Sequence, residues 1–249
     1  MIVTMGAPRR HGGASMTRIV DNRRLFARIA TAAIAGSLMV AVAPQASYAA
    51  PAEQSATQAA VQAQAKRKTV ALTFDDGPSK YTPQILDILK KNNVKATFCM
   101  LGNNVGPYKK TAKRVVKEGH RLCNHSRNHP DFTTLSNSAA RSQIVYTQGR
   151  IREVTGRSPK VFRFPYGSSN SRVRKVVRNQ DLRILGWTVD TRDWSRPGTR
   201  VIVSRAVNNT RPGGVILMHD GGGNRTQTVA ALDKTIKKLK AKGYTFVLA

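Results

Sequence analysis

Acidic side chains are scarce in this sequence. Only 13 Asp and Glu stand against 42 Lys and Arg, so the 249 residues carry a formal net charge of +29. Such a chain is directed toward anionic surfaces, with wall polymers and acidic lipids as candidates. Cysteine is nearly absent. Two residues cannot staple a small disulfide scaffold or form a four-thiolate zinc cluster. Long apolar runs are also missing, since none reaches the ~18 charge-free residues of a durable membrane span. No nucleic-acid module is recognisable, and the cations are spread along the chain instead of forming one block. A specific nucleic-acid partner is therefore not expected. What is present is enough to fold: 40% of the residues are apolar, which excludes a disordered polycation.

The longest apolar run, 29–43, follows Arg23, Arg24 and Arg28 and precedes Ser47-Tyr48-Ala49. Basic, apolar, then small at a cleavage site is the order of a secretory signal. The Arg-Arg pair within 22–28 also resembles a twin-arginine export signal. An uncleaved anchor is the other reading, disfavoured by the Gly, Ala and Ser content of the run. Residues 1–49 are thus expected to be an extension with a signal peptide, and 50–65, rich in Ala and Gln, a linker. Residues 66–249 are expected to form one domain. Residues 50–249 hold 36 basic and 12 acidic residues. The mature protein is expected to be secreted, associated with an anionic cell wall, without a permanent span, and monomeric.

Within 66–249, apolar runs that suit buried strands alternate with segments of helical period. Strands are expected at 69–74, 95–100, 121–123, 161–164, 183–189, 214–218 and 244–248. Thr82 is expected to cap the first helix, with Pro83 at its first position. Seven alternations imply parallel strands joined by right-handed crossovers, with helices over the sheet. Periodicity alone leaves open whether the sheet is flat or curled.

The unusual polar residues fall just past strand ends: Asp75 and Asp76, His125 and His129, Arg163, Asp190 and Asp193, and His219. The carboxyl ends of parallel strands share one rim, and ligands bind there. His125 and His129, four apart, can aim two imidazoles at one ion through a helical turn or a strand-to-turn bend. Asp76 would complete a two-His, one-carboxylate set with an open position for water, the pattern of catalytic zinc or another first-row metal. Alone, this pair also fits two surface histidines, and Asp-Asp-Gly-Pro also fits an ordinary turn.

Asp75 is then free to accept a proton from water. Arg163 could pair with Asp75 and keep it charged. The Pro165-Tyr166-Gly167 turn could present the Tyr166 amide to a developing oxyanion. His219 is the candidate general acid, with Asp193 orienting it. Tyr166, Trp194, Leu217 and Trp187 could wall a substrate slot, or be plain core.

In order, Thr73-Phe74-Asp75-Asp76-Gly77-Pro78, His125-Ser126-Arg127-Asn128-His129, Arg163-Phe164-Pro165-Tyr166, Asp190-Thr191-Arg192-Asp193-Trp194 and Leu217-Met218-His219 resemble the five motifs of the polysaccharide deacetylases, carbohydrate esterase family four. The resemblance covers 66–249. It implies an α/β fold, a distorted, incomplete (β/α)7 barrel with parallel strands. It implies metal-dependent deacetylation of a glycan, with Asp75 as base and Asp76, His125 and His129 as ligands of Zn2+, or of Co2+ or Ni2+. It further implies Arg163 as the tether of Asp75, Tyr166 as oxyanion donor, and Asp193 tuning His219.

Cys99 and Cys123 fall on expected strands two and three. Export would allow one disulfide between them, whereas parallel-strand geometry argues against it; the sequence leaves both readings open. The expected substrate is an acetylated glycan, with N-acetylglucosamine units of peptidoglycan or chitin first and acetyl-xylan as the alternative. A non-catalytic wall-binding protein is the reading from another class.

Overall fold

The computed structural model describes residues 68–249. The expected signal region and the 50–65 linker lie outside the described residues.

From the start of this domain the chain runs β1 (Thr69–Asp75), α1 (Thr82–Lys91), β2 (Thr97–Met100), a short α2 (Gly102–Val105), α3 (Lys109–Lys117) and β3 (Arg121–Asn124). It continues through α4 (Asn137–Thr155), β4 (Val161–Phe162), α5 (Ser171–Arg178), β5 (Arg183–Ile184) and β6 (Val189–Asp190). It ends with α6 (Thr199–Asn209), β7 (Gly214–His219), α7 (Thr226–Ala241) and β8 (Thr245–Phe246). The strands pair in the order β5-β4-β3-β2-β1-β7-β6, with β8 also on β1, and every pairing is parallel. This is the curled, incomplete (β/α)7 barrel that the resemblance implies.

Parallel strands with helices over them need apolar side chains on both faces. β1 supplies them, being buried from Val70 onward. Its Phe74 stacks on Phe98 of β2 with centroids 5.2 Å apart. The helices close over the sheet through Ile85, Leu86 and Leu89 of α1 and Leu232, Ile236 and Leu239 of α7, all fully buried. A second cluster, around Phe132, Phe162 and Phe164, fills the β4 side.

Two expectations are corrected. The strand expected over 183–189 is two short strands on opposite edges of the sheet, β5 against β4 and β6 against β7. The intervening 185–188 segment crosses the gap that a full barrel would close. Its Gly186 carbonyl accepts from Arg163 Nη2 at 2.8 Å, so the crossing is fixed by a side chain from β4's end. Thr82 does not cap α1. Tyr81 holds the N-cap position without a side-chain bond. The Thr82 hydroxyl instead accepts from Ser79 N–H at 2.8 Å and donates to Asp220 Oδ2 at 2.6 Å.

The cysteine question is answered by register. Cys99 and Cys123 are cross-strand partners on β2 and β3, with Cα atoms 4.2 Å apart, and they are joined in a disulfide.

Candidate active site

The carboxyl ends of β1, β3, β4, β6 and β7 open on a cavity of about 540 Å³. Asp75, Asp76, His125, His129, Tyr166, Trp187, Asp190, Trp194, Leu217 and His219 all line it. Sequence separations of more than a hundred residues therefore collapse into one concave site. Arg163 and Asp193 stand immediately behind it, both buried.

Consecutive strand residues point to opposite faces, so Asp75 and Asp76 need a backbone break to face one centre. Asp76 supplies it by adopting φ 73°, a region that Asp tolerates better than most residues. The turn is held from outside by Asn104, whose Nδ2 donates to the Asp76 carbonyl at 2.8 Å. Gly222, at φ 68°, packs so closely that any Cβ there would collide with the Asp76 carboxylate.

His125 and His129 do not share a helical turn; the strand-to-turn alternative holds. Ser126, at φ 72°, donates its N–H to Asn124 Oδ1, and its hydroxyl accepts the His129 N–H at 3.1 Å. That small turn brings the two imidazoles to centroids 5.0 Å apart. His125 Nδ1 lies 2.8 Å from the Arg163 carbonyl, and donating to it leaves the His125 Nε2 lone pair facing inward. Both Nε2 atoms lie 3.5 Å from Asp76 Oδ1. Burial, and then the neighbouring His125, push His129 below its ordinary pKa, although Asp76 and Asp75 oppose this. Its imidazole is therefore neutral near pH 7.

Whether these residues fit a metal ion can be tested on the geometry. The ligand atoms of Asp76, His125 and His129 lie within 4.8 Å of one another. Asp76 Oδ1 is buried without a hydrogen-bond partner, an expensive state for a carboxylate oxygen unless a cation takes it. Two imidazoles and one carboxylate suit a divalent first-row ion. Asp76→Ala is accordingly expected to empty the site: metal content after dialysis and activity should fall together, and metal retained at the wild-type level would remove Asp76 from the ligand set.

Asp75 sits beside this group, with Oδ2 3.6 Å from His125 Nε2. Its other oxygen accepts from Arg163 Nη1 at 2.8 Å. Arg163 is wholly buried, and Nη1 also reaches Thr73 Oγ1 at 2.8 Å. The guanidinium thus ties Asp75 to both the β1 interior and the 185–188 crossing.

Asp75 and His219 are register partners on β1 and β7. Asp193 Oδ1 lies 2.7 Å from His219 Nδ1, and Asp193 Oδ2 accepts the His219 N–H at 2.8 Å and the Thr228 hydroxyl at 2.7 Å. This leaves His219 Nε2 as the free nitrogen. Burial would lower the His219 pKa. The Asp193 hydrogen bond and charge, helped by Asp75 and Asp76, overcome it and hold the imidazole above its ordinary value. In the expected role of general acid His219 would have to be protonated, so activity is expected to fall as pH rises through this pKa. Asp193→Asn is expected to move that alkaline limb of the pH–rate profile to lower pH; an unmoved limb would deny the coupling.

Tyr166 has φ 57° and is 71% exposed. The neighbouring amides of Gly167 and Ser168 donate to Phe164 and Pro165 carbonyls, whereas the Tyr166 amide pairs with no carbonyl among the described residues. Its ring meets His129 edge-on, centroids 4.4 Å apart. Trp194 is 48% exposed at the mouth, while Leu217 is buried in the wall. Trp187 packs against Gly167, where a Cβ would meet its ring at 2.6 Å. Asp190 accepts the Arg192 N–H at 2.7 Å, which supports the loop that carries Asp193.

Asp220 escaped the sequence reading. It follows His219 and looks like a turn residue, yet its carboxyl is buried against Gly77 and holds Thr82. Its N–H donates to the Asp75 carbonyl at 3.0 Å, and Ser79 Oγ donates to its carbonyl. It therefore fastens the β7 loop to the β1 loop. Burial pushes this carboxyl up to about 7, with the charges of Asp76 and Asp75 adding to the shift and the Thr82 hydrogen bond opposing it.

Comparison with known proteins agrees with the geometry. The polysaccharide deacetylase family model matches residues 62–185. A peptidoglycan-N-acetylglucosamine deacetylase of Bacillus cereus is 42% identical over 180 residues, 72% of this chain and 66% of that protein. A chitooligosaccharide deacetylase of Sinorhizobium fredii is 36% identical over 188 residues, 71% of this chain and 87% of that one. The chain thus spans about two thirds of the first relative's length and most of the second's. A crystal structure of a peptidoglycan N-acetylglucosamine deacetylase in complex with 4-naphthalen-1-yl-N-oxidanyl-benzamide superposes with a TM-score of 0.70 at 40% identity, covering 74% of this chain and 86% of that one. With five motifs converging on one cavity and relatives at this identity, the chain belongs to the polysaccharide deacetylase family.

Proposed function

We propose that the protein is a metal-dependent hydrolase that removes acetyl groups from N-acetylglucosamine units of a wall or chitin-type glycan. The observation that carries this reading is the register pairing of Asp75 with His219 in the same cavity as the Asp76-His125-His129 group. A proton acceptor and a proton donor thus flank one polar centre, which glycan binding alone would not require. The names of the relatives, a peptidoglycan and a chitooligosaccharide deacetylase, support the substrate class.

Asp76, His125 and His129 would hold a divalent ion, which we take as zinc, with cobalt or nickel as substitutes. When bound, such an ion supplies Lewis acidity to water and to an acetyl carbonyl. Asp75 accepts the proton of the attacking water while Arg163, 2.8 Å from its Oδ1, holds its carboxylate in place. The Tyr166 N–H donates to the carbonyl oxygen as charge develops on it. His219 Nε2 protonates the departing sugar nitrogen, and Asp193 stabilises the imidazolium before transfer. An amine leaves poorly without that proton, whereas an alcohol needs it less, so a well-oriented acid favours an amide over an acetyl-xylan ester.

Acetate release from peptidoglycan, chitooligosaccharides and acetyl-xylan, with chelator and after zinc refilling, tests the reading. Chelator-sensitive release from N-acetylglucosamine substrates is expected. Tight glycan binding without acetate would favour a non-catalytic wall protein instead. The basic, apolar and small-residue order of 22–49 leads us to place the mature enzyme outside the membrane, at an anionic wall.

A further inference from the structure

In a parallel barrel the strand starts share the rim opposite the site. Seven of the eight strands carry a cation at or within three residues of their first residue: Lys68 before β1, Lys95 before β2, Arg121 opening β3, Lys160 before β4, Arg183 opening β5, Arg211 before β7 and Lys242 before β8. All are exposed except the half-buried Arg121. Among the described residues none of the seven lies within 4 Å of an acidic side chain. Of the acidic residues beside this rim, Glu118 is paired with Arg114 and Glu153 with Arg150, and Asp181 lies in the turn between α5 and Arg183.

Some of these cations bond to chain carbonyls. Lys95 Nζ donates to the Glu118 carbonyl at 2.6 Å, Lys68 Nζ to the Lys242 carbonyl at 3.4 Å, and Arg211 Nη1 to the Asn208 carbonyl at 3.4 Å. These three complement helix C-termini without bringing an acidic side chain, and Arg121 Nη1 donates to the Ala249 oxygen.

Six of the seven divide between two cavities. One, of about 360 Å³, is lined by Lys68, Arg211 and Lys242; the other, of about 370 Å³, by Arg121, Lys160 and Arg183. Three like charges in one concavity focus a positive potential that an anion relieves. Guanidinium forks suit phosphate oxygens in particular. Two cavities on one face suit a chain of repeated phosphates better than a single small anion.

A base-stacking partner is not favoured. The one ring lining either cavity, Tyr244, packs on the main core and its hydroxyl bonds to the Thr210 carbonyl. A bilayer is not favoured either. The exposed large apolar side chains among the described residues are Val145, Tyr166, Trp194, Val201 and Val247, and Tyr166 and Trp194 belong to the opposite rim.

We infer that the strand-start face of the barrel docks a flexible, base-free poly(alditol phosphate) polyanion through these two three-cation cavities. A protein held this way turns its catalytic rim away from the charged polymer. The inference is independent of which glycan the site takes.

The experiment measures binding of the full chain to immobilised poly(glycerol phosphate). K68Q/R211Q/K242Q and R121Q/K160Q/R183Q are each expected to weaken binding about tenfold or more at low salt, and raising salt from about 50 to 200 mM should weaken the wild type strongly. K110Q/K113Q/R141Q removes the same charge from exposed positions elsewhere and is expected to lose less than about threefold. R121K/K160R/R183K keeps every charge and should bind nearly as the wild type, which separates charge from misfolding. Acetate release from a neutral chitooligosaccharide should stay unchanged in all four. Equal losses in the control and face variants would reduce the effect to net charge and overturn the inference, as would tighter binding to single-stranded polynucleotide or anionic vesicles. Absent acetate release in the wild type would sink the enzymatic reading without touching the binding result.

Discussion

Asp75→Asn is expected to lower acetate release about 10²–10⁴-fold, the range for a general base positioned at the reacting proton. The amide side chain has nearly the same volume and can still accept the Arg163 Nη1 hydrogen bond now made to Oδ1 at 2.8 Å. Fold and cavity should therefore survive. What is lost is the ability to take a proton. The proposed metal set of Asp76, His125 and His129 is unchanged, so metal content after dialysis should match the wild type. Low activity with full metal content is the expected pair of results. Turnover within tenfold of the wild type would remove the role of base from Asp75. Full loss of metal would move Asp75 into the ligand set.

Arg163→Ala is expected to damage stability as much as activity. The guanidinium is fully buried and holds Thr73 Oγ1, Asp75 Oδ1 and the Gly186 carbonyl, each at 2.8 Å. Truncation leaves the Asp75 carboxylate buried without its counter-charge and frees the 185–188 crossing. Removing one partner of a buried pair costs about 3–5 kcal/mol. For a domain of this size that is a fall of roughly 6–20 °C in Tm. Lysine should rescue little, because a single ammonium cannot reach the three acceptors that the planar fork spans. Thermal melts of the Ala and Lys variants at neutral pH check this. A Tm within about 2 °C of the wild type, well inside that range, would show that Arg163 is not the strut its contacts indicate.

The fold and most of the site were legible along the chain for definite reasons. Buried parallel strands must be apolar, so Thr69–Asp75 and Gly214–His219 announced themselves. Chemistry at strand ends needs polar residues where the apolar run stops, so Asp75, His125 and His219 stood out. The 183–190 stretch misled because its apolar residues run on like one strand. Strand pairing, which separates β5 from β6, is a property of edges that no local pattern records. Thr82 looked like a cap because its local sequence suits one, but the Asp220 carboxyl, 138 residues away, competes for its hydroxyl. Asp220 itself left no local signal, since its burial comes from Gly77 and Thr82 on another loop.

The order of the elements, the residues able to take a metal or move a proton, and the excess of positive charge were all determined by the sequence alone, because these depend on side-chain type and local period. Tertiary structure decided which of those residues meet. It set the left-handed turn at Asp76, the bond that orients His125, the joining of Cys99 to Cys123 and the gathering of strand-start cations on one face. The physical reason is that distances between residues far apart in the chain follow from strand register and closure of the curled sheet, which are collective outcomes of packing.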